Sequence, residues 1–407
     1  MNKEVFVYID LEGKPILAGR LWSRTRNGRE SATFEYDKTW LASPNRFSLE
    51  PGLSLGPGPY HTSTDKPLFG AIGDSAPDRW GRVLMRRVER KLAEKTGQTP
   101  RTLMEIDYLL MVNDEVREGA LRFSLQENGP FLANNNHKSI PPLISLPKLL
   151  SATERLANED DTEDDLKLLL APGSSLGGAR PKASIRDRDG HLAIAKFPHK
   201  SDEMNVVLWE ALALTLAARA KIIVPTWRIE TVLGKPVLIS RRFDRVNSYR
   251  IPYLSAMSML TANDNETRSY LEIVDVLRQQ GASSKQDIKA LWRRIVFNIL
   301  ISNLDDHLRN HGFLYAGEAG WQLSPAYDLN PVPIEIKPRV LSTAIDLDNT
   351  TASIELAMSV ISYFDLTTTE AKHIIAEVHK AVSGWRQEAK KLGLTSNEID
   401  RMASAFR

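Results

Sequence analysis

Apolar and polar residues alternate along the opening third of the chain, and the runs Val5 to Ile9, Pro15 to Leu21 and Thr33 to Tyr36 predict strands. Breaks containing Gly and Asn separate them, so a small β-rich unit is expected at the N-terminus. From Asp78 to Lys95 the period becomes helical, and this stretch carries Arg79, Arg82, Arg86, Arg87, Arg90 and Lys91. A second helix over roughly Thr102 to Val112 and a strand around Ala120 to Phe123 close the unit. Gln126 to Ser139, with Gly-Pro and Asn-Asn-Asn-His, predicts a linker.

The carboxylate run Glu159 to Asp165 precedes apolar Leu166 to Leu170 and reads as a solvated helix entry, where negative charge meets the positive end of the helix dipole. After Ala171 the expected order is loop, strand, strand, helix, strand, strand, and from about Ser255 the chain turns mainly helical. In the long helix ahead of residue 302, Ile288, Leu291, Trp292, Ile295, Val296 and Ile299 recur at helical spacing and must face a core. The pattern predicts an α+β fold with two lobes, a β-rich N-terminal part and a mainly helical C-terminal lobe. The expected divisions are 1–125, 140–254 and 255–407.

Composition narrows the chemistry. With 407 residues, 42% of them hydrophobic, the chain can bury a full core. Cysteine is absent, which excludes disulfides, thiolate catalysis and Cys-type zinc sites and fits a reducing cytosol. Lys and Arg total 53 against 51 Asp and Glu, a net +2 too small to argue for nucleic acid by itself. The first ten residues lack an apolar signal core, and no apolar run approaches the roughly 18 residues of a membrane span, so a soluble cytoplasmic protein is expected.

The densest cluster of reactive side chains is Ser302-Asn303-Leu304-Asp305-Asp306-His307-Leu308-Arg309-Asn310-His311-Gly312, set between the long helix and an apolar strand at Phe313 to Tyr315. Asp305 and Asn310 are five apart, the separation of the proton-accepting aspartate and metal-binding asparagine in a protein-kinase catalytic loop. A strand at Trp321 to Leu323 then leads to Tyr327-Asp328-Leu329, where a kinase keeps its magnesium aspartate. Each residue alone could equally cap a turn; their order and spacing together favour a site. Asp305, Asp306, His307 and His311 could instead form a metal-hydrolase cluster.

Upstream, Ser174-Ser175-Leu176-Gly177-Gly178-Ala179-Arg180-Pro181-Lys182 combines two hydroxyls, glycines and a lysine in one turn. Glycine amides can approach a phosphate closely, although Gly-Gly also marks ordinary hairpins. On the next strand Lys196 stands in an apolar setting. Glu210 lies inside the apolar run Val206 to Leu214, where an unpaired carboxylate costs several kcal/mol, roughly. Lys196 is its natural partner; the alternative places Glu210 on an exposed stripe of its helix.

These segments, with Arg242-Phe243-Asp244-Arg245, Pro77-Asp78-Arg79-Trp80-Gly81-Arg82 and Glu118 to Phe123, fall in the order of the HipA family, which the chain resembles over nearly its whole length. The resemblance implies a HipA/protein-kinase-like fold and a serine/threonine kinase using ATP and Mg²⁺. It makes Asp305 the catalytic base, Asn310 and Asp328 the metal ligands, and Lys196 the ATP lysine oriented by Glu210. Ser175, Gly177, Gly178 and Lys182 become the phosphate loop, with Ser175, or the adjacent Ser174, as an autophosphorylation site that inactivates the enzyme. Ser240 to Phe243, including Arg242 and Phe243, becomes the adenine hinge, where Arg241 departs from the glutamate of some members.

His307 is expected to support the loop rather than bind a ligand. The implied role is the toxin of a toxin-antitoxin pair, with a HipB-like helix-turn-helix antitoxin, operator DNA reached through that complex, no membrane, and a protein substrate such as an aminoacyl-tRNA synthetase. Two other readings fit the same residues: a kinase of this fold acting on a small molecule or lipid, and a non-catalytic co-repressor whose Arg79 to Lys91 face touches DNA phosphates. A solvated helix face is the plainer account of that arginine cluster.

Overall fold

The computed structural model describes residues 2–77, 79–133, 140–173, 178, 180–247, 249–264 and 266–406. Ser174, Ser175 and Gly177, and the stretch 134–139 of the expected linker, lie outside the described residues. Two compact units divide the chain, the first of residues 1–201 and 230–254, the second of 202–229 and 255–407.

The first unit opens with the alternating strands β1 (Asn2–Leu11), β2 (Lys14–Arg26) and β3 (Arg29–Tyr36), longer than the sequence runs that predict them. Two-residue turns join them. Glu12-Gly13 and Asn27-Gly28 all have positive φ, between 51° and 79°, as the tight hairpins that match strand twist require. β4 (Pro59–His61) and β5 (Leu121–Ser124) complete an antiparallel sheet of order β4-β3-β2-β1-β5. Val5, Val7 and Ile9 are buried on one face while Phe6 and Tyr8 are buried on the other. At Gly19 a Cβ would stand 2.3 Å from the Glu35 carbonyl oxygen, so the β2–β3 approach admits only glycine there.

A second antiparallel sheet orders β6 (Lys182–Arg186), β7 (Leu192–Lys196), β9 (Lys235–Arg241) and β8 (Trp227–Val232), the last belonging to this unit from Glu230 on. Ala183, Ile185, Ala195, Phe197, Val237 and Ile239 pack with Leu149 and Leu150 of the helix Leu146–Asn158, Leu166 and Leu169 of the helix Glu163–Gly173, and Leu84 of the helix Arg79–Thr96. The short pair β10 (Arg245–Val246) and β11 (Tyr249–Arg250) follows, and β12 (Tyr253–Ser255) carries the chain toward the second unit.

The basic helix Arg79–Thr96 spends most of its cations inside this unit. Arg82 pairs with Glu105, Arg87 and Lys91 with Asp161, and Lys95 with Glu163. Arg79, Arg86 and Arg90 remain exposed. The acidic run is therefore only partly a solvated entry, which corrects the sequence reading. Asp161 and Asp165 are buried, Asp161 between Arg87 and Lys91, and Asp165 against Arg155 and the Thr162 amide and hydroxyl. The Arg155 guanidinium holds the Asp165 carboxyl far below the usual carboxylate range.

The second unit is mainly helical: Val206–Arg219, Tyr270–Gln280, Ser284–Ile301 and Thr368–Ser383 are its longer helices, with β13 (Gly312–Tyr315) and β14 (Trp321–Leu323) paired antiparallel. Reciprocal caps start three helices, Ser269 with Glu272, Thr367 with Glu370 and Thr395 with Glu398, each satisfying otherwise orphaned amides. The six apolar residues expected to anchor Ser284–Ile301 are all buried. Trp385 and Phe406 stack at 4.2 Å between ring centroids against Trp209. Among the described residues no helix is long and apolar enough to cross a membrane.

Candidate active site

The helix Ser284–Ile301 ends at Ser302, whose φ of 49° is the left-handed cap that turns the chain into the 303–311 loop. Asp305 is exposed there, while Asn310 is buried. The Asp305 carbonyl oxygen accepts from the His307 amide at 2.9 Å and from Asn310 Nδ2 at 3.0 Å. With Nδ2 so used, Oδ1 is the atom Asn310 has left to offer a cation. The Asn310 amide donates to the His307 carbonyl at 2.8 Å, closing the turn through backbone.

The Asp328 segment is sewn to this loop. The Tyr327 hydroxyl donates to the Arg309 carbonyl at 2.7 Å, the Asn330 amide to Asn303 Oδ1 at 3.1 Å, and the Ser324 amide to the Gly312 carbonyl at 2.8 Å. Asp328 itself has φ of +54°, a conformation that costs a non-glycine residue roughly 1–2 kcal/mol and persists where surrounding structure enforces it. Asp305, Asn310 and Asp328 are thus held on two adjoining segments of one unit. Their donors are carboxylate and carboxamide oxygens, the hard ligands that suit Mg²⁺.

The metal-hydrolase alternative does not fit. His311 Nε2 is spent on Asp306 at 2.8 Å, and among the described residues no group of three His, Cys, Asp or Glu side chains could hold a metal. Loop support comes from the His307 backbone and the His311 side chain, while the buried Nδ1 of the His307 ring takes no hydrogen bond. Sequence reading missed Tyr270, Asn298 and Arg294, which surround Asp306; the only local signal was the buried periodicity of the helix that carries two of them.

In the first unit, Lys182 and Lys196 stand directly opposite each other across β6 and β7, so both side chains leave the same face of the sheet. Two ammonium groups on one face favour an anion between them. Gly178 has φ of +75°, a conformation that favours glycine, and a Cβ there would stand 2.8 Å from Lys182 Nζ. Trp80 holds this end of the loop: its Nε1 donates to the Lys182 carbonyl at 2.8 Å and its amide to the Gly178 carbonyl at 3.1 Å.

Arg242 is placed otherwise than a nucleotide contact needs. Its guanidinium is buried, bonding Asp244 Oδ1 at 2.8 Å and the Val116 and Arg117 carbonyls, so any adenine contact there falls to backbone. Asp244 also takes Arg245 and the Gly119 amide; the two guanidiniums pull its carboxyl far below the usual range, and burial pushes Arg245 down to about 9. Phe243 lies 6.4 Å from the Tyr253 ring, and Arg241 faces Asp189 at 3.6 Å on the surface. Glu210, in the helix Val206–Arg219, is buried, which removes the exposed-stripe alternative.

Comparison with known proteins places this arrangement. Residues 174–385, just over half of the chain, match the HipA-like C-terminal domain. A Sinorhizobium fredii protein, Y4mE, whose name carries the word kinase, is 22% identical over 392 residues, covering 89% of this chain and 80% of its own. The HipA, HipB and operator DNA complex of the Shewanella oneidensis toxin-antitoxin system contains a chain that superposes with a TM-score of 0.64 at 16% identity, covering 98% of this chain and 94% of that one. The α+β fold is that of HipA, and the chain belongs to the HipA-like family.

Proposed function

We propose that this protein is an ATP- and Mg²⁺-dependent serine/threonine protein kinase serving as the toxin of a HipA-type toxin-antitoxin pair in the cytoplasm. One observation carries the reading: an exposed Asp305, an Asn310 whose amide nitrogen is spent on the Asp305 carbonyl, and an Asp328 in the left-handed region are held on adjoining segments of one unit by hydrogen bonds between those segments. In-line phosphoryl transfer asks the protein mainly for positioning and charge neutralisation.

In this mechanism Asp305 accepts the proton of the acceptor hydroxyl as the hydroxyl oxygen attacks the γ-phosphorus, while the bond from that phosphorus to the β–γ bridging oxygen breaks and ADP leaves. Asn310 and Asp328 would hold Mg²⁺, which would supply positive charge to the phosphates. Lys182 and Lys196 bind the phosphates, and Gly177 and Gly178 shape the cradle. Ser175 or Ser174 is the self-phosphorylation site, where a dianion would spoil that cradle. Residues 1–125, 140–254 and 255–407 serve as N-terminal subdomain, nucleotide lobe and catalytic-loop lobe.

The proposed partners are a HipB-like helix-turn-helix antitoxin, operator DNA through that complex, and a translation component such as an aminoacyl-tRNA synthetase as substrate. The test is labelled ATP with the purified chain and a bacterial lysate. Label is expected on protein, including the chain itself at Ser174 or Ser175. Label confined to small molecules or lipid would replace protein by that substrate class.

A further inference from the structure

Asp306 directly follows the proposed base, yet it is only 2% exposed. A carboxylate taken out of water needs donors or a cation to hold it. Three donors from three stretches of chain converge on its Oδ2: the Tyr270 hydroxyl from the first residue of one helix, Asn298 Nδ2 at 2.7 Å from the long helix, and His311 Nε2 at 2.8 Å from the end of the loop. The Thr343 hydroxyl donates to the Asp306 carbonyl at 2.7 Å. Arg294, buried and bonded to the Ser324 carbonyl, supplies the neighbouring positive charge.

This grip bears on the candidate site through one peptide unit. The bond between residues 305 and 306 carries the carbonyl oxygen that receives both the His307 amide and Asn310 Nδ2. Holding the 306 side chain inward therefore fixes the plane to which Asn310 is tied and the direction in which Asp305 leaves the loop. Asp306, Asn310, Arg294 and His311 line one cavity of about 10 Å³, so the anchor and the proposed metal ligand share a wall.

We propose that Asp306 is a positioning residue: its three-donor anchorage sets the 303–311 loop so that Asp305 meets the acceptor hydroxyl and Asn310 meets the cation. It touches no substrate itself. The proposal rests on the kinase reading above for its catalytic consequence, and on the hydrogen bonds alone for its structural one.

The test uses the full chain with Asp306→Asn and the reciprocal pair Asn298→Asp with Asp306→Asn, which exchanges donor and acceptor while keeping both sizes. For Asp306→Asn we expect kcat to fall about 100-fold, as for a displaced catalytic group, with KM for ATP within about threefold. The reciprocal pair should return to within about tenfold of the parent. An unchanged kcat in Asp306→Asn, or a reciprocal pair no better than it, overturns the proposal. If Asp306→Asn does not fold, Tyr270→Phe removes one donor of the three, and an unaltered kcat in that variant is equally decisive against it. Hydrogen exchange at amides 303–311 is read in parallel. A parent that transfers no phosphate defeats the kinase reading, and exchange then decides: faster exchange in Asp306→Asn, restored in the pair, supports the anchor, and equal exchange sinks it.

Discussion

Asn310 reaches back along its own loop and donates from Nδ2 to the carbonyl oxygen of Asp305 at 3.0 Å. The five-residue spacing visible in sequence is thus closed into a ring by the side chain of its second member. One residue's amide geometry sets the other's backbone, so the two act as a unit, and substitutions at either should be strongly non-additive.

Replacing Asp305 with Asn should lower phosphoryl transfer by about 1,000-fold, the middle of the range for a general base. Because the side chain is exposed, thermal stability should shift by no more than about 0.5 kcal/mol. Labelled-ATP assays and melting curves on the same preparation check both halves, and full activity in this variant would contradict the mechanism.

Asn310→Ala and Asp328→Asn should each raise the Mg²⁺ concentration giving half-maximal activity by about tenfold or more. Binding of Mn²⁺ followed by electron paramagnetic resonance gives a readout independent of turnover. A titration curve identical to the parent's in both variants would remove them as ligands.

Lys182→Ala and Lys196→Ala should each weaken ATP by about 1.5–3 kcal/mol, the range for bonds to charged groups. Their opposition across β6 and β7 predicts that the double variant loses less than the sum, because removing one lysine relieves repulsion on the other. Calorimetry with ATP measures all three; strict additivity would argue for separate ligands.

Trp80→Phe removes the donor to the Lys182 carbonyl and should cost about 1 kcal/mol of stability. If Trp80 holds the end of the phosphate loop, KM for ATP should rise while kcat changes little. An unaltered KM with the same stability loss would confine Trp80 to the core.

Glu50 offers a pH dependence. It is buried, it accepts the Ala71 amide, and burial pushes its carboxyl up to about 7. The folded protein therefore holds this proton between the unfolded carboxyl's range and about pH 7, and stability falls by a few kcal/mol as pH rises through that window, then levels off. Glu50→Gln keeps the acceptor and removes the charge. Its melting temperature should exceed the parent's at pH 8 and approach it near pH 5; a constant difference across that range would assign the effect to packing.

The sequence by itself determined the period of each element and therefore the fold class. Alternation in β1 to β3, the Asn27-Gly28 turn and the apolar stripe of the helix Ser284–Ile301 are short-range facts, set by backbone sterics and by which face must leave water. The order of Asp305, Asn310 and Asp328 was legible for the same reason, since spacing along the chain is local. Only the tertiary structure decided which of two adjacent carboxylates, Asp305 or Asp306, faces the interior, and that Arg242, Arg87 and Asp161 are committed to partners. A charge's partner comes from elements distant along the chain, and the cost of burying it unpaired is settled only when those elements pack. The register that sets Lys182 against Lys196 belongs to the same class, because a one-residue slip would send one of them to the opposite face.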